Sequence, residues 1–144
     1  MTQTQSPTDP RMIFVNLAVK DVGRALGFWR ALGFDCDPRF TDESAASIVI
    51  RPDAIHLMLL SEAHFSSFTR KAICDTSAHT ETLIALSCAS RAEVDQLVKD
   101  AVAAGGAHAM DPTDLGFMYG WSFCDPDGHH FELVWMDPAQ VPAA

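Results

Sequence analysis

The residues of this chain best suited to chemistry stand near its C-terminal end, in the run Asp125-Pro-Asp-Gly-His-His-Phe-Glu132. His130 and Glu132 are two positions apart. In an extended strand, residues i and i+2 project from the same face, so an imidazole and a carboxylate share one side there. With a third ligand the pair can chelate a divalent metal, leaving positions open for substrate; His56 is the candidate for that third ligand. Without metal, Glu132 can act as a general base. As a structural residue it would only hydrogen-bond Asn16 or His130. Glu132 is therefore the catalytic candidate, His130 and His56 are its candidate metal partners, and the three readings stay open at this level.

Other chemistries find less support. There is no G-x-S-x-G elbow, and no cysteine has an argued base beside it. Cys36, Cys74, Cys88 and Cys124 are widely spaced with no C-x-x-C pair, which argues for reduced thiols in a cytoplasm rather than a disulfide framework or a zinc knuckle. Gly105-Gly106 reads as a helix stop, not a phosphate loop. A formal net charge of -9 repels polyanions, so nucleic acid is not an expected partner. No apolar run approaches a membrane span. Residues 1–10 are polar and lack the basic start and apolar stretch of a secretory signal. They are expected to form a frayed leader, and residues 138–144 a tail, around a single domain over residues 11–137.

Two halves of that domain carry the same order of signals, residues 12–62 and 81–136. In the first, a β-branched strand through Val19 precedes a helix capped by Asp21, running over residues 22–32 and stopped by Gly33. Strands over residues 34–40, 45–51 and 55–60 follow. The second half opens with a strand over residues 82–88 and a helix begun by the Ser90/Glu93 capping box. Strands near residues 107–110, 117–124 and 130–136 complete it, the last two joined by the Asp125-Pro-Asp-Gly128 turn. Between the halves, residues 63–70 can make a short helix. Strand–helix–three strands, written twice, predicts an α+β fold of two βαβββ modules sharing one core.

Strand alternation sorts the side chains. Ile13, Val15, Leu17 and Val19 form one face of the first strand, while Phe14, Asn16 and Ala18 face the other way. On the last strand Phe131, Leu133 and Trp135 oppose His130, Glu132 and Val134. The second set from each strand, with His56, Met58 and Leu83, makes an apolar wall carrying a few polar groups, the composition of a small-molecule pocket. A filled core would not keep a carboxylate, an amide and two imidazoles together without partners. Tyr119 and Trp121 share a face of the strand Phe117–Phe123 and are expected at the pocket, where they can stack on a ligand. His64, Phe65 and Phe68 can form a lid. His129, like His64, His79 and His108, is expected at the surface.

In Phe14-Val-Asn-Leu-Ala-Val-Lys-Asp21, Phe28-Trp-Arg-Ala-Leu-Gly-Phe34, Leu83-Ile-Ala-Leu-Ser87 and Asp125-Pro-Asp-Gly-His-His-Phe-Glu132, the sequence resembles the vicinal oxygen chelate superfamily, the glyoxalase/bleomycin-resistance/dioxygenase group. The resemblance implies a curved mixed sheet around a pocket with helices outside, and chains that often pair as homodimers. In metal-dependent members of that group four strand positions bind a divalent metal. Here those positions fall on Phe14, Met58, Leu83 and Glu132, and only Glu132 offers a suitable donor. The expectation is therefore a pocket that binds or sequesters an apolar or aromatic small molecule, with no cofactor. The alternative is a lyase, isomerase or dioxygenase that uses Glu132 as metal ligand or base.

Overall fold

A computed structural model describes residues 10–143; of the expected leader, all but Pro10 lies outside these residues. β1 (Ile13–Val19) leads to α1 (Val22–Ala31), then β2 (Ala45–Arg51), β3 (Ile55–Ser61) and α2 (Glu62–Ser66). The second half runs β4 (Leu83–Ser87), α3 (Arg91–Ala103), β5 (Ala107–His108), β6 (Thr113–Asp114), β7 (Met118–Cys124) and β8 (His130–Met136). Local chemistry sets the helix ends. Asp21 caps α1 by accepting the Arg24 N–H at 2.9 Å, and Gly33, at φ 94°, takes the left-handed backbone that closes it. Ser90 accepts the Glu93 N–H at 3.1 Å, and the Glu93 carboxylate reaches back to the Ala89 N–H at 3.2 Å.

The strands form two sheets of the same plan, each with the first strand of its half lying parallel to the last. One has the order β1-β3-β2; the other has β4-β8-β7-β5, with β6 also on β7. The fold is thus α+β, built from two βαβββ-like modules. The expected strand over residues 34–40 reduces to a single bridge from Cys36 to Ile48. Pro38 offers no N–H to a ladder, and Asp37 instead caps a 3-10 turn over Pro38–Phe40. The helix expected over residues 63–70 is the shorter α2, and the strand near residues 107–110 shrinks to Ala107–His108.

A single core joins the halves. Leu17, Leu57 and Leu59 of the first sheet, and Phe123, Phe131 and Leu133 of the second, belong to the same buried cluster as Trp29 of α1 and Val98 of α3. Trp29 packs edge-on against Phe131 with ring centroids 4.8 Å apart, and Phe123 stacks on Phe131 at 5.4 Å. A helix of the first module therefore packs on the sheet of the second. Each such side chain contributes about 1.5–3 kcal/mol on burial, and neither half holds enough of them alone.

The halves are also tied by the Asp125–Gly128 turn. The Asp125 Oδ1 accepts the N–H groups of Asp127 and His129, at 3.0 and 2.8 Å. The Asp127 Oδ1 accepts the Lys20 N–H at 2.9 Å and Arg24 Nη2 at 3.0 Å, both from the β1–α1 junction. Gly128, at φ 89°, lies so close to the Thr76 carbonyl that a Cβ would collide with it. His129, expected at the surface, is buried. The turn drives it under the end of β1, where its Nε2 lies 2.7 Å from the Ala18 carbonyl oxygen. Among the described residues no helix is long and apolar enough to cross a membrane.

Candidate functional site

Because Leu17, Leu57, Phe131 and Leu133 point into the core, the alternate residues Asn16, Met58 and Glu132 turn to the other side of their sheets. Phe14 and Leu83 are on that side too, 40% and 60% exposed. The face is the one strand alternation predicts, but its residues do not close around one common hollow. A hollow of about 290 Å³ is walled by the first module and the segment that follows it, by Asn16, Phe40, Met58, Leu60, His64 and Phe68 among others, with no residue of the second module. A neighbour of about 250 Å³ shares Asn16, Leu60 and Phe68 and adds Phe65. Leu83, His130 and Glu132 line neither.

His56 is fully buried. Its Nδ1 lies 3.0 Å from the Ser47 hydroxyl oxygen, its ring stacks against Phe14 at 5.1 Å, and Phe40 meets it edge-on at 6.2 Å. Its Nε2 has no hydrogen-bond partner. The residue is thus sealed beneath the aromatic wall and does not stand beside Glu132. On the other sheet, His130 Nε2 and Glu132 Oε1 are 2.8 Å apart, with the carboxylate side chain about one-third exposed (34%). The two-residue spacing brings these side chains together as expected.

A metal centre does not fit this arrangement. Three of the four family positions are Phe14, Met58 and Leu83, which offer no oxygen or nitrogen donor. Among the described residues no group of three or more His, Cys, Asp or Glu side chains is placed to hold a metal ion. The substitute set of His56, His130 and Glu132 does not form such a group.

Tyr119 and Trp121 do not reach the pocket either. The β7–β8 register sets them opposite Trp135 and Leu133, on the side packed against the core. There Tyr119 donates its hydroxyl to Asp95 at 2.5 Å and Trp121 stacks on His108 at 5.7 Å. The two residues do share a face, and the register makes it the helix side; Ser122, opposite Glu132, takes the other.

Phe40 is the wall residue that strand reasoning missed. It follows the Asp37–Pro38 turn, and its ring lies under Arg39, whose guanidinium carbon is 5.2 Å from the centroid. Arg39 is held by Asp37 at 2.7 Å, and this hydrogen bond keeps the Asp37 carboxyl below its ordinary value. An Asp-Pro-Arg-Phe run is a turn signal that could have placed the phenyl ring off the strand.

Paired modules, each with its first strand beside its last, are the architecture of the glyoxalase class of fold. The family model described as Glyoxalase/Bleomycin resistance protein/Dioxygenase superfamily matches residues 11–133, and the chain belongs to this superfamily. Among solved structures, the hypothetical protein SA1046 from S. aureus is similar at 30% identity and a TM-score of 0.73, over 93% of this chain and 95% of that one. A glyoxalase-related enzyme from Fulvimarina pelagi is similar at 18% identity and a TM-score of 0.71, over 87% of each chain. A lactoylglutathione lyase from Agrobacterium tumefaciens shares the fold at 15% identity and a TM-score of 0.62, over 90% of this chain and 95% of that one. No curated protein matches the chain.

Proposed function

We propose that this protein binds an apolar or aromatic small molecule on the open face of its first module, without a metal. The observation that carries the reading is the aromatic hollow itself. Phe40, Phe68, Met58 and Leu60 line it, and Asn16, Arg39, Asp42 and His64 supply polar groups for orientation. The two adjoining hollows, about 290 and 250 Å³, together suit a small ligand. Phe14 stands beside them, stacked on His56 and edge-on to Phe40 at 5.7 Å, so a planar ring can extend the stack. A second copy of the chain covering exposed Phe14 and Leu83 is part of the proposal, on the ground that members of this superfamily often pair.

The test has two parts. Elemental analysis of protein purified without a metal-affinity tag should find no stoichiometric divalent metal. A thermal-shift screen of small aromatics should find compounds that raise the melting temperature of the wild-type protein and not of a Phe40→Ser variant. Stoichiometric metal that disappears in Glu132→Gln would overturn the metal-free reading.

A second reading rests on the His130–Glu132 pair. A partly exposed carboxylate oriented by an imidazole at 2.8 Å can take a proton from a bound substrate and pass it on. In that case a substrate for isomerisation or lyase chemistry binds beside this pair on the face of the second module, not in the aromatic hollow, and Glu132→Gln removes turnover while leaving binding intact.

A further inference from the structure

A separate hollow of about 660 Å³ opens between the two sheets. Val15 and Leu57 wall it from the first module, Ile84 and Leu86 from β4, and Leu97 from α3. β1 and β4 are each the end strand of their sheet and do not pair with one another. Ladder hydrogen bonds would draw such edges to about 4.8 Å; without them an apolar gap remains. Its size is that of a small-molecule site.

Two charged side chains also line the gap, Arg51 and Glu93. Glu93 is engaged. It accepts the Ala89 N–H in the α3 capping box, and burial together with this nearby carboxylate pushes the Cys88 thiol up to about 12. Arg51, at the end of β2, has no carboxylate partner among the described residues. An apolar gap with an unpaired guanidinium at its margin is complementary to an amphiphile with an anionic head.

We infer that this hollow is a binding site for an alkyl carboxylate. The chain lies among Val15, Leu57, Ile84 and Leu86, and the carboxylate meets Arg51. The site is distinct from the aromatic hollow on the open face and does not depend on it.

Full-length protein titrated with decanoate, well below its micelle concentration, tests this by calorimetry and by amide NMR mapping. Decanoate should bind and shift the amides of Val15, Ile84, Leu86 and Arg51. Arg51→Gln, an exposed change that leaves the core intact, should weaken decanoate about five- to tenfold and leave decanol unaffected. Leu97→Trp should fill the gap and abolish binding of both. The inference is overturned if decanoate does not bind, if Arg51→Gln weakens acid and alcohol equally, or if the shifts fall on Phe40 and Phe68 of the other hollow. It is equally overturned if the gap proves to be an interface, with Leu97→Trp weakening a dimer and no decanoate bound.

Discussion

His129 and Ala18 meet across 111 positions of sequence, with the imidazole Nε2 2.7 Å from the carbonyl oxygen. The contact caps a backbone group that β3 does not use, and it pins the start of β8 to the end of β1. The His129 Nδ1 side faces Glu81, whose Oε1 is 3.2 Å away. Replacing His129 with Ala empties a buried position and strands the carbonyl. The expected loss is about 1–3 kcal/mol, read as a lower urea midpoint. A midpoint equal to that of the wild type would show that the contact contributes nothing.

Burial pushes the Asp125 carboxyl up from 3.8 to about 6, against the opposing pull of His129. The native chain therefore holds a proton that the unfolded chain has already released. The resulting stability is fullest below about pH 4 and is lost as the pH rises through about 6. Asp125→Asn retains the oxygen that accepts the Asp127 and His129 N–H groups and has no proton to lose. Relative to this variant, the wild type should be most stable near pH 4 and lose ground until just above pH 6. Urea midpoints measured at half-unit steps check this, and two parallel curves would contradict it.

Phe14 is 40% exposed and stacks on His56 at 5.1 Å. Phe14→Ser should weaken an aromatic ligand on the open face roughly tenfold, in line with the loss of a stacked ring and its buried area. Stability of the single chain should fall by no more than about 1–2 kcal/mol, because the ring is 40% exposed there. Calorimetric titration paired with a thermal melt separates the two effects; unchanged affinity would remove Phe14 from the site.

The His130–Glu132 bond lies on a partly exposed strand face, so Glu132→Gln should cost less than about 1 kcal/mol of stability. Manganese, nickel or zinc at modest excess should leave the melting temperature of both proteins unchanged. A metal-induced rise in the wild type that is missing from the variant would establish a ligand role for the carboxylate.

The repeat, the strand faces and the helix ends were legible because each depends on near neighbours in sequence. Asp21, Ser90 and Gly33 act within one turn, and the alternation of Leu17 with Asn16 needs only a strand. What alternation cannot supply is distance between strands. It correctly turned Phe14, Met58, Leu83 and Glu132 from the core, yet it could not tell that the hollow would be walled without the second module. It could not reveal that His56 would be sealed under Phe14 and Phe40 either. Tyr119 and Trp121 failed for a related reason, since their side of β7 is decided by the register with β8. His129 looked like an ordinary turn residue because its partner, Ala18, lies in the other half of the chain.

Parallel pairing commits both backbone groups of every second residue of β1 to β3, beginning with the Ile13 N–H on the Ala54 carbonyl at 2.8 Å. The groups of Phe14 and Asn16 face the unjoined edge. Neighbouring amides along one strand should therefore trade their protons for deuterium at alternating speeds, with Val15 and Leu17 slow and Phe14 and Asn16 fast. Anything that settles into the seam between β1 and β4 would write itself into that alternation.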